Sequence, residues 1–350
     1  MELNNAFVRV HTGATKAGVE IRDTVFRLLG HMQRNEIGMF ITVDGKDINI
    51  DGIRNGKNRI YLIKPTDYEM LDAKTGAAAV TADEDLDQDR TDDEIAAELK
   101  ETFEILAEMT DAVGNGIVKG LVVSGPAGVG KSHTVIKTLD ENLGVPARLM
   151  SIEPSYEVIS GHISPIMLYT KLYQLSAANC VLVLDDCDVL EDIEALNILK
   201  AALDTKKTRR IHWGSAGHVL EKERVPTSFE FRGGVIFLTN TKLSSIKSGK
   251  LAPHCEAIVS RVHCLDLQIN TMRERMIHIR NIVITSDMLD EYEFSSETKH
   301  TLLAWLMDNV NNIAQVDLRT VTKAADLCKA MPHNWQSRAA KTLFKSGRRG

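Results

Sequence analysis

The octapeptide GPAGVGKS, Gly125 to Ser132, decides the fold of this chain. It satisfies G-x-x-x-x-G-K-[ST] at every required position. The apolar run Leu121-Val122-Val123 precedes it, and a helical pattern with Val135, Ile136, Leu139 and Leu143 on one face follows. Gly144 and Pro146 are expected to stop that helix. Strand, loop and helix are the setting a phosphate cradle requires. Glycines let backbone amides approach phosphate oxygens and adopt conformations closed to other residues. The helix N-terminus adds partial positive charge. Gly125, Pro126, Ala127, Gly128, Val129, Gly130, Lys131, Ser132 and His133 are therefore the expected nucleotide-binding set. Lys131 is placed to reach the β- and γ-phosphates and Ser132 to offer its hydroxyl to Mg2+. The plain alternative is a glycine-rich turn.

A second stretch, VLVLDDCD (Val181 to Asp188), reads as a strand buried on both faces that ends in carboxylates. Ligands of open α/β sheets bind beyond the strand C-termini. Asp185 is the expected Mg2+ partner and Asp186 the expected water-activating base. An aspartate here is one methylene shorter than a glutamate, a loss of reach of roughly 1.5 Å. Asp188 is expected to cap the following helix, and Cys187 to be a small buried residue.

The rest of the chain frames these motifs. At 350 residues it is long enough for two or three domains. Aromatics make up only 5% of it, so the core must be largely aliphatic. A net charge of -6 argues against generic whole-surface attraction to nucleic acid. Five cysteines without framework spacing fit a reducing cytosol. MELNNAFVRV lacks a signal-peptide pattern, and no run approaches the ~20 apolar residues of a membrane helix. Residues 1–71 read as a small α+β domain, with a helix over IRDTVFRLLGHM and two hairpins. Residues 72–92 read as an acidic linker. An α/β nucleotide-binding domain is expected over 93–269, with GLVVSG, ARLMSI, CVLVLDD, GVIFLTN and RVHCLDL as five parallel strands. Three helical patterns make 270–333 a lid, and 334–350 reads as a basic, disordered tail. The adjacent pairs His254-Cys255 and His263-Cys264 match no familiar zinc spacing.

GPAGVGKS, VLVLDD, VIFLTN and VDLRTVTKAADL, in this order, resemble the AAA+ ATPases, over about Leu99 to Pro332. The combination of LYTKLYQL, DDCD, LKAALDT and FEFRGGVIFLTN further resembles AAA ATPases encoded by bacterial viruses and plasmids. The resemblance implies ATP as substrate, Mg2+ as cofactor, a homo-oligomer such as a hexameric ring, and a site between subunits. It implies that Asn240 orients the attacking water. It also makes Arg261 a finger offered to the neighbouring subunit's γ-phosphate, and Arg319 a sensor at the start of a lid helix capped by Asp317. Gly161, His162 and Ile163 fall where such rings face their pore. TRRIHW and TSFEFRGG would form an inserted hairpin on which Arg209, Arg210 and His212 meet nucleic-acid phosphate, as would the basic tail. Three functions remain open: an ATP-driven motor on nucleic acid, a protein remodeller recruiting clients through the N-terminal domain, and a nucleotide-gated scaffold. The host cytoplasm is the implied location if the chain is virus-encoded.

Overall fold

A computed structural model of the chain describes residues 6–16, 18–45, 53, 56–62, 64, 67–71, 90–152, 155–214, 218–241, 243 and 251–345. Contacts divide the chain into two units, Met1–Thr91 and Asp92–Gly350. The acidic stretch up to residue 89 and residues 346–350 of the tail lie outside the described residues.

The described part of the first unit is an antiparallel sheet. Its strands are β1 (Phe7–Thr15), β2 (Glu20–Arg34), β3 (Met39–Asp44), β4 (Lys57–Leu62) and β5 (Tyr68–Leu71). β1 pairs with β2 along one edge and with β4 and β5 along the other, so β1 to β4 close on themselves. The helix expected over residues 21–32 is instead the long strand β2. Phe26 and Leu28 are buried while Arg27 and Leu29 are exposed, which is the alternation of a strand. Register shifts between Leu28 and Gly30 and between Gly30 and Gln33 bend β2 so that it serves two neighbours. Pairing on both edges overrides a local helical period.

The second unit opens with α1 (Asp92–Gly114) and carries five parallel strands: β6 (Gly120–Ser124), β7 (Tyr156–Gly161), β8 (Val181–Cys187), β11 (Gly234–Thr239) and β12 (His263–Asp266). Their spatial order is β12-β6-β11-β8-β7. Val181 to Leu184 are at most 1% exposed, because helices cover both faces. The helices include α2 (Lys131–Leu139), α4 (Pro165–Gln174), α5 (Ile193–Ala202) and α7 (Ala252–Val259). Gly144 and Pro146 do not end the helix after the cradle. It passes through a π-turn, Asp140–Gly144, into α3 (Val145–Leu149), where Pro146 lies in the first turn and its missing N–H costs nothing. ARLMSI is consequently not a strand; YEVISG takes the edge position as β7.

Between α5 and β11 come β9 (Arg210–His212), the short α6 (His218–Lys222) and β10 (Ser228–Glu230), and β9 pairs antiparallel with β10 as expected. The lid contains α8 (Met272–Thr285), α9 (Ser296–Asp308), α10 (Leu318–Ala330) and α11 (Trp335–Leu343). The last of these corrects the reading of a disordered tail. Trp335, Ala339 and Leu343, four residues apart, are buried in the lid core, and Trp305 packs edge-on against Trp335 at 5.4 Å. Arg338 and Lys341 remain on the exposed side. Among the described residues no helix is long and apolar enough to cross a membrane. Trp335→Ala should destabilise the chain by about 3 kcal/mol through cavity formation; a urea midpoint equal to wild type would mean that α11 is not a working part of the lid.

Candidate functional site

The C-terminal ends of β6, β8 and β11 converge on one point. Parallel register places Ser124 beside Thr239, and Leu238 beside Asp185. The cradle leaves β6 and enters α2 through Gly128 (φ 71°) and Gly130 (φ 101°), both in the left-handed region that favours glycine. At Gly128 there is also no room: a Cβ would lie 2.7 Å from the Asp317 side chain.

Lys131 is 6% exposed. Its ammonium donates to Gly125 O (2.7 Å), Pro126 O (2.9 Å) and Asn240 Oδ1 (2.9 Å). Asn240 Nδ2 in turn lies 3.1 Å from each carboxylate oxygen of Asp186. Lysine, amide and carboxylate thus form a chain linking the cradle to two strand ends. Burial holds the Lys131 pKa below its ordinary 10.5, Asp186 and Asp185 oppose that shift, and Arg319 adds to it. Asp186 is exposed, with a left-handed φ of 45° that is rare for a non-glycine residue. Such strain persists only where the surroundings over-determine it; the hydrogen bonds from Asn240 are the local restraint.

The lid closes the other side. Asp317 caps α10 by accepting from Thr320 N at 2.8 Å, as expected from the sequence, and Arg319 follows in the first turn. Leu318 N donates to Gly128 O at 2.9 Å. From α8, the ring of His278 donates through Nε2 to Val129 O at 2.8 Å. Asp287, just after α8, pairs with Lys137 at 3.1 Å and lies 4.0 Å from His133 Nε2. Sequence reasoning missed His278, Leu318 and Asp287. His278 interrupts an apolar stretch, but nothing in that pattern names its partner.

Arg261 lies elsewhere. It precedes β12, whose opposite end places Asp266 at the cradle, where it accepts from Ser124 Oγ at 2.9 Å. The strand alone separates the two by roughly 13 Å at about 3.3 Å per residue. The Arg261 guanidinium rests on Ala257 O. Arg261 thus sits beside the end of β12 opposite the one that carries Asp266.

Two sequence readings change here. Asp188 does not cap a helix. It accepts from Ile163 N at 3.2 Å and pairs with His162, while Asp192 caps α5 through Glu194 N and Ala195 N. Arg209 is 7% exposed and donates to Ala202 O (2.8 Å) and Gly233 O (2.9 Å). Its charge is committed to holding the hairpin base, and of the three residues expected to meet phosphate Arg210 and His212 are exposed. Of the segment expected to face a pore, His162 is exposed and Ile163 is buried. His254 accepts from Lys200 Nζ at 3.2 Å, and Cys255 is fully buried.

The Asp188 carboxylate raises the His162 pKa above 6.5, and His162 lowers that of Asp188. The stabilisation from the pair is complete just below pH 6.5. It fades as pH rises through the raised His162 value, and also as pH falls through the lowered Asp188 value. An NMR titration should find His162 above 6.5 and returning toward 6.5 in Asp188→Asn; an unchanged titration in that variant would break the pairing.

The chain matches no protein-family model. The uncharacterized 36.7 kDa protein of the nrdC-mobD intergenic region of Enterobacteria phage T4 is 33% identical over 322 residues, covering 91% of this chain and 93% of the T4 protein. Among solved structures, domain III of the Thermotoga maritima replication initiation protein DnaA is 11% identical over 69% of this chain and 91% of that one, with a TM-score of 0.37. NtrX from Brucella abortus in complex with ATP is 11% identical over 75% and 58%, at 0.39. Drosophila ORC bound to DNA is 13% identical over 74% and 64%, at 0.33. This chain thus spans less than two thirds of the NtrX and ORC chains. At these scores the likenesses decide nothing about what it does.

Proposed function

The chain belongs to the same family as the phage T4 36.7 kDa protein; from its motifs and the geometry of its cradle we propose that it is an AAA+ ATPase that binds and hydrolyses ATP at a site completed by a neighbouring copy. One observation carries the proposal: Lys131, Asn240 and Asp186 form a continuous hydrogen-bonded chain at the mouth of a glycine cradle. The amides of the cradle and Lys131 would hold the phosphates. The Lys131 ammonium donates to two carbonyls of its own loop and to Asn240, and phosphate oxygens would replace the two carbonyls. Ser132 follows Lys131 in the chain and Asp185 is close enough to act on its charge; their hard oxygens would hold Mg2+. When bound, that ion would supply charge compensation along the phosphates. Asp186 would accept the proton of the attacking water, and Asn240 would orient both. Arg319 would bring a lid charge to the phosphates. Arg261, beside the end of β12 opposite Asp266, would serve the next subunit, which favours a ring.

The macromolecule acted on is proposed to be nucleic acid. Arg210 and His212 on the hairpin, and Arg338 and Lys341 on the exposed side of α11, support that reading. The second reading, a nucleotide switch with little turnover, is favoured by one observation: Asn240 holds both oxygens of the shortened base.

The test is steady-state ATP hydrolysis against protein concentration, with and without single-stranded DNA. Turnover per subunit should rise with concentration and with DNA. Arg261→Ala should keep nucleotide affinity near wild type and lose about 10³-fold in turnover; normal turnover would place the finger elsewhere. Asp186→Asn should abolish hydrolysis and Asp186→Glu preserve or raise it. Tight binding with no turnover in the wild type would instead identify a switch, and DNA-independent rates would remove nucleic acid as the partner.

A further inference from the structure

Two consecutive carbonyls of the cradle are held from the lid. Gly128 O accepts from the backbone N–H of Leu318, at the start of α10. Val129 O accepts from His278 Nε2, in the middle of α8. A planar trans peptide points its C=O and the next N–H in opposite directions. A carbonyl pinned toward the lid therefore sends the following amide away from it. Holding Gly128 O sets the N–H of Val129, and holding Val129 O sets the N–H of Gly130. These are amides of the loop that would face phosphate. Gly130, at φ 101°, lacks the steric restraint a side chain imposes, so its peptide needs an external hold.

His278 is built for that hold. It is 4% exposed. Its ring stacks on Phe103 of α1 at 4.7 Å and 19°, which fixes the ring plane. A carbonyl partner requires the tautomer with hydrogen on Nε2. Burial lowers the pKa below 6.5, so the ring is neutral at pH 7. Val129 is itself 5% exposed, and water has little access to replace a lost partner.

We propose that His278 is a positioning residue of the phosphate cradle: from the lid, through Val129 O, it orients the Gly130 amide for the phosphates. This rests on the reading of the cradle as a nucleotide site. It makes phosphate affinity depend on a lid side chain that need not touch the nucleotide, and so couples lid position to the cradle's readiness to bind.

The experiment measures Mg-ADP binding by calorimetry for the full chain and four variants, with the melting temperature of each without nucleotide. His278→Phe keeps the ring and removes the donor. His278→Gln carries an N–H donor in place of Nε2 but loses the ring. His278→Met fills similar space with neither, and Lys131→Ala removes the phosphate partner. We expect wild-type binding, none in Lys131→Ala, about tenfold weaker binding in His278→Phe and His278→Met, and recovery to near wild type in His278→Gln. Equal affinity in His278→Phe and wild type would overturn the assignment, as would His278→Gln as weak as His278→Met. If His278→Phe does not fold, the Gln–Met comparison decides alone. Absence of binding by the wild type would overturn the nucleotide reading itself, and this inference with it.

Discussion

The structure is organised around a buried ammonium. Lys131 is charged, nearly inaccessible, and surrounded by the ends of strands that come from distant parts of the chain. A charge taken out of water is tolerated only with close partners. Gly125 O, Pro126 O and Asn240 Oδ1 supply them. Meeting that requirement draws β11 to the cradle, and Asn240 then reaches across to Asp186 on β8. Under the proposed function, phosphate oxygens would displace the Gly125 and Pro126 carbonyls, and Asn240 would join the lysine to Asp186 through one amide side chain.

The lid adds a second restraint from the opposite side. Leu318 N and His278 Nε2 hold adjacent carbonyls, the Asp317 side chain occupies the space a residue larger than glycine would need at position 128, and Asp287 ties α2 to the end of α8. These contacts come from three points of the lid and reach the loop and the helix α2 that follows it. The cradle is a shared product of the α/β layer and the lid. That arrangement suits a protein in which lid movement and nucleotide state are to be linked.

Much of this was legible in the chain because the motifs are local. The spacing of Gly125, Gly130, Lys131 and Ser132, the apolar run before Asp185 and the cap at Asp317 each depend on residues a few positions apart. The misreadings arose where packing overrode the local pattern. Arg209 looked like an exposed cation until the carbonyls of Ala202 and Gly233 closed around it. Residues 21–32 carried a helical period, yet pairing with β1 and β3 made them a strand. Pro146 looked like a stop signal and instead begins a new helical turn after a π-turn. The basic tail concealed Trp335, Ala339 and Leu343, whose four-residue spacing becomes meaningful only against the rest of the lid.

The sequence by itself determined the fold class and the cradle, because strand–loop–helix patterning and glycine stereochemistry act over short distances. It also determined which side chains were available: a lysine, paired aspartates, an asparagine at a strand end and two arginines. Only the tertiary structure decided which of them meet. Asn240 stands between Lys131 and Asp186 because three parallel strands share one register. His278 reaches Val129 because the lid folds back over α1. Arg261 lies at the other end of β12 from the cradle because it precedes the strand that carries Asp266 to it. Hydrogen bonds between residues a hundred or more positions apart leave no periodicity to read, so they appear only when the sheet and lid are assembled.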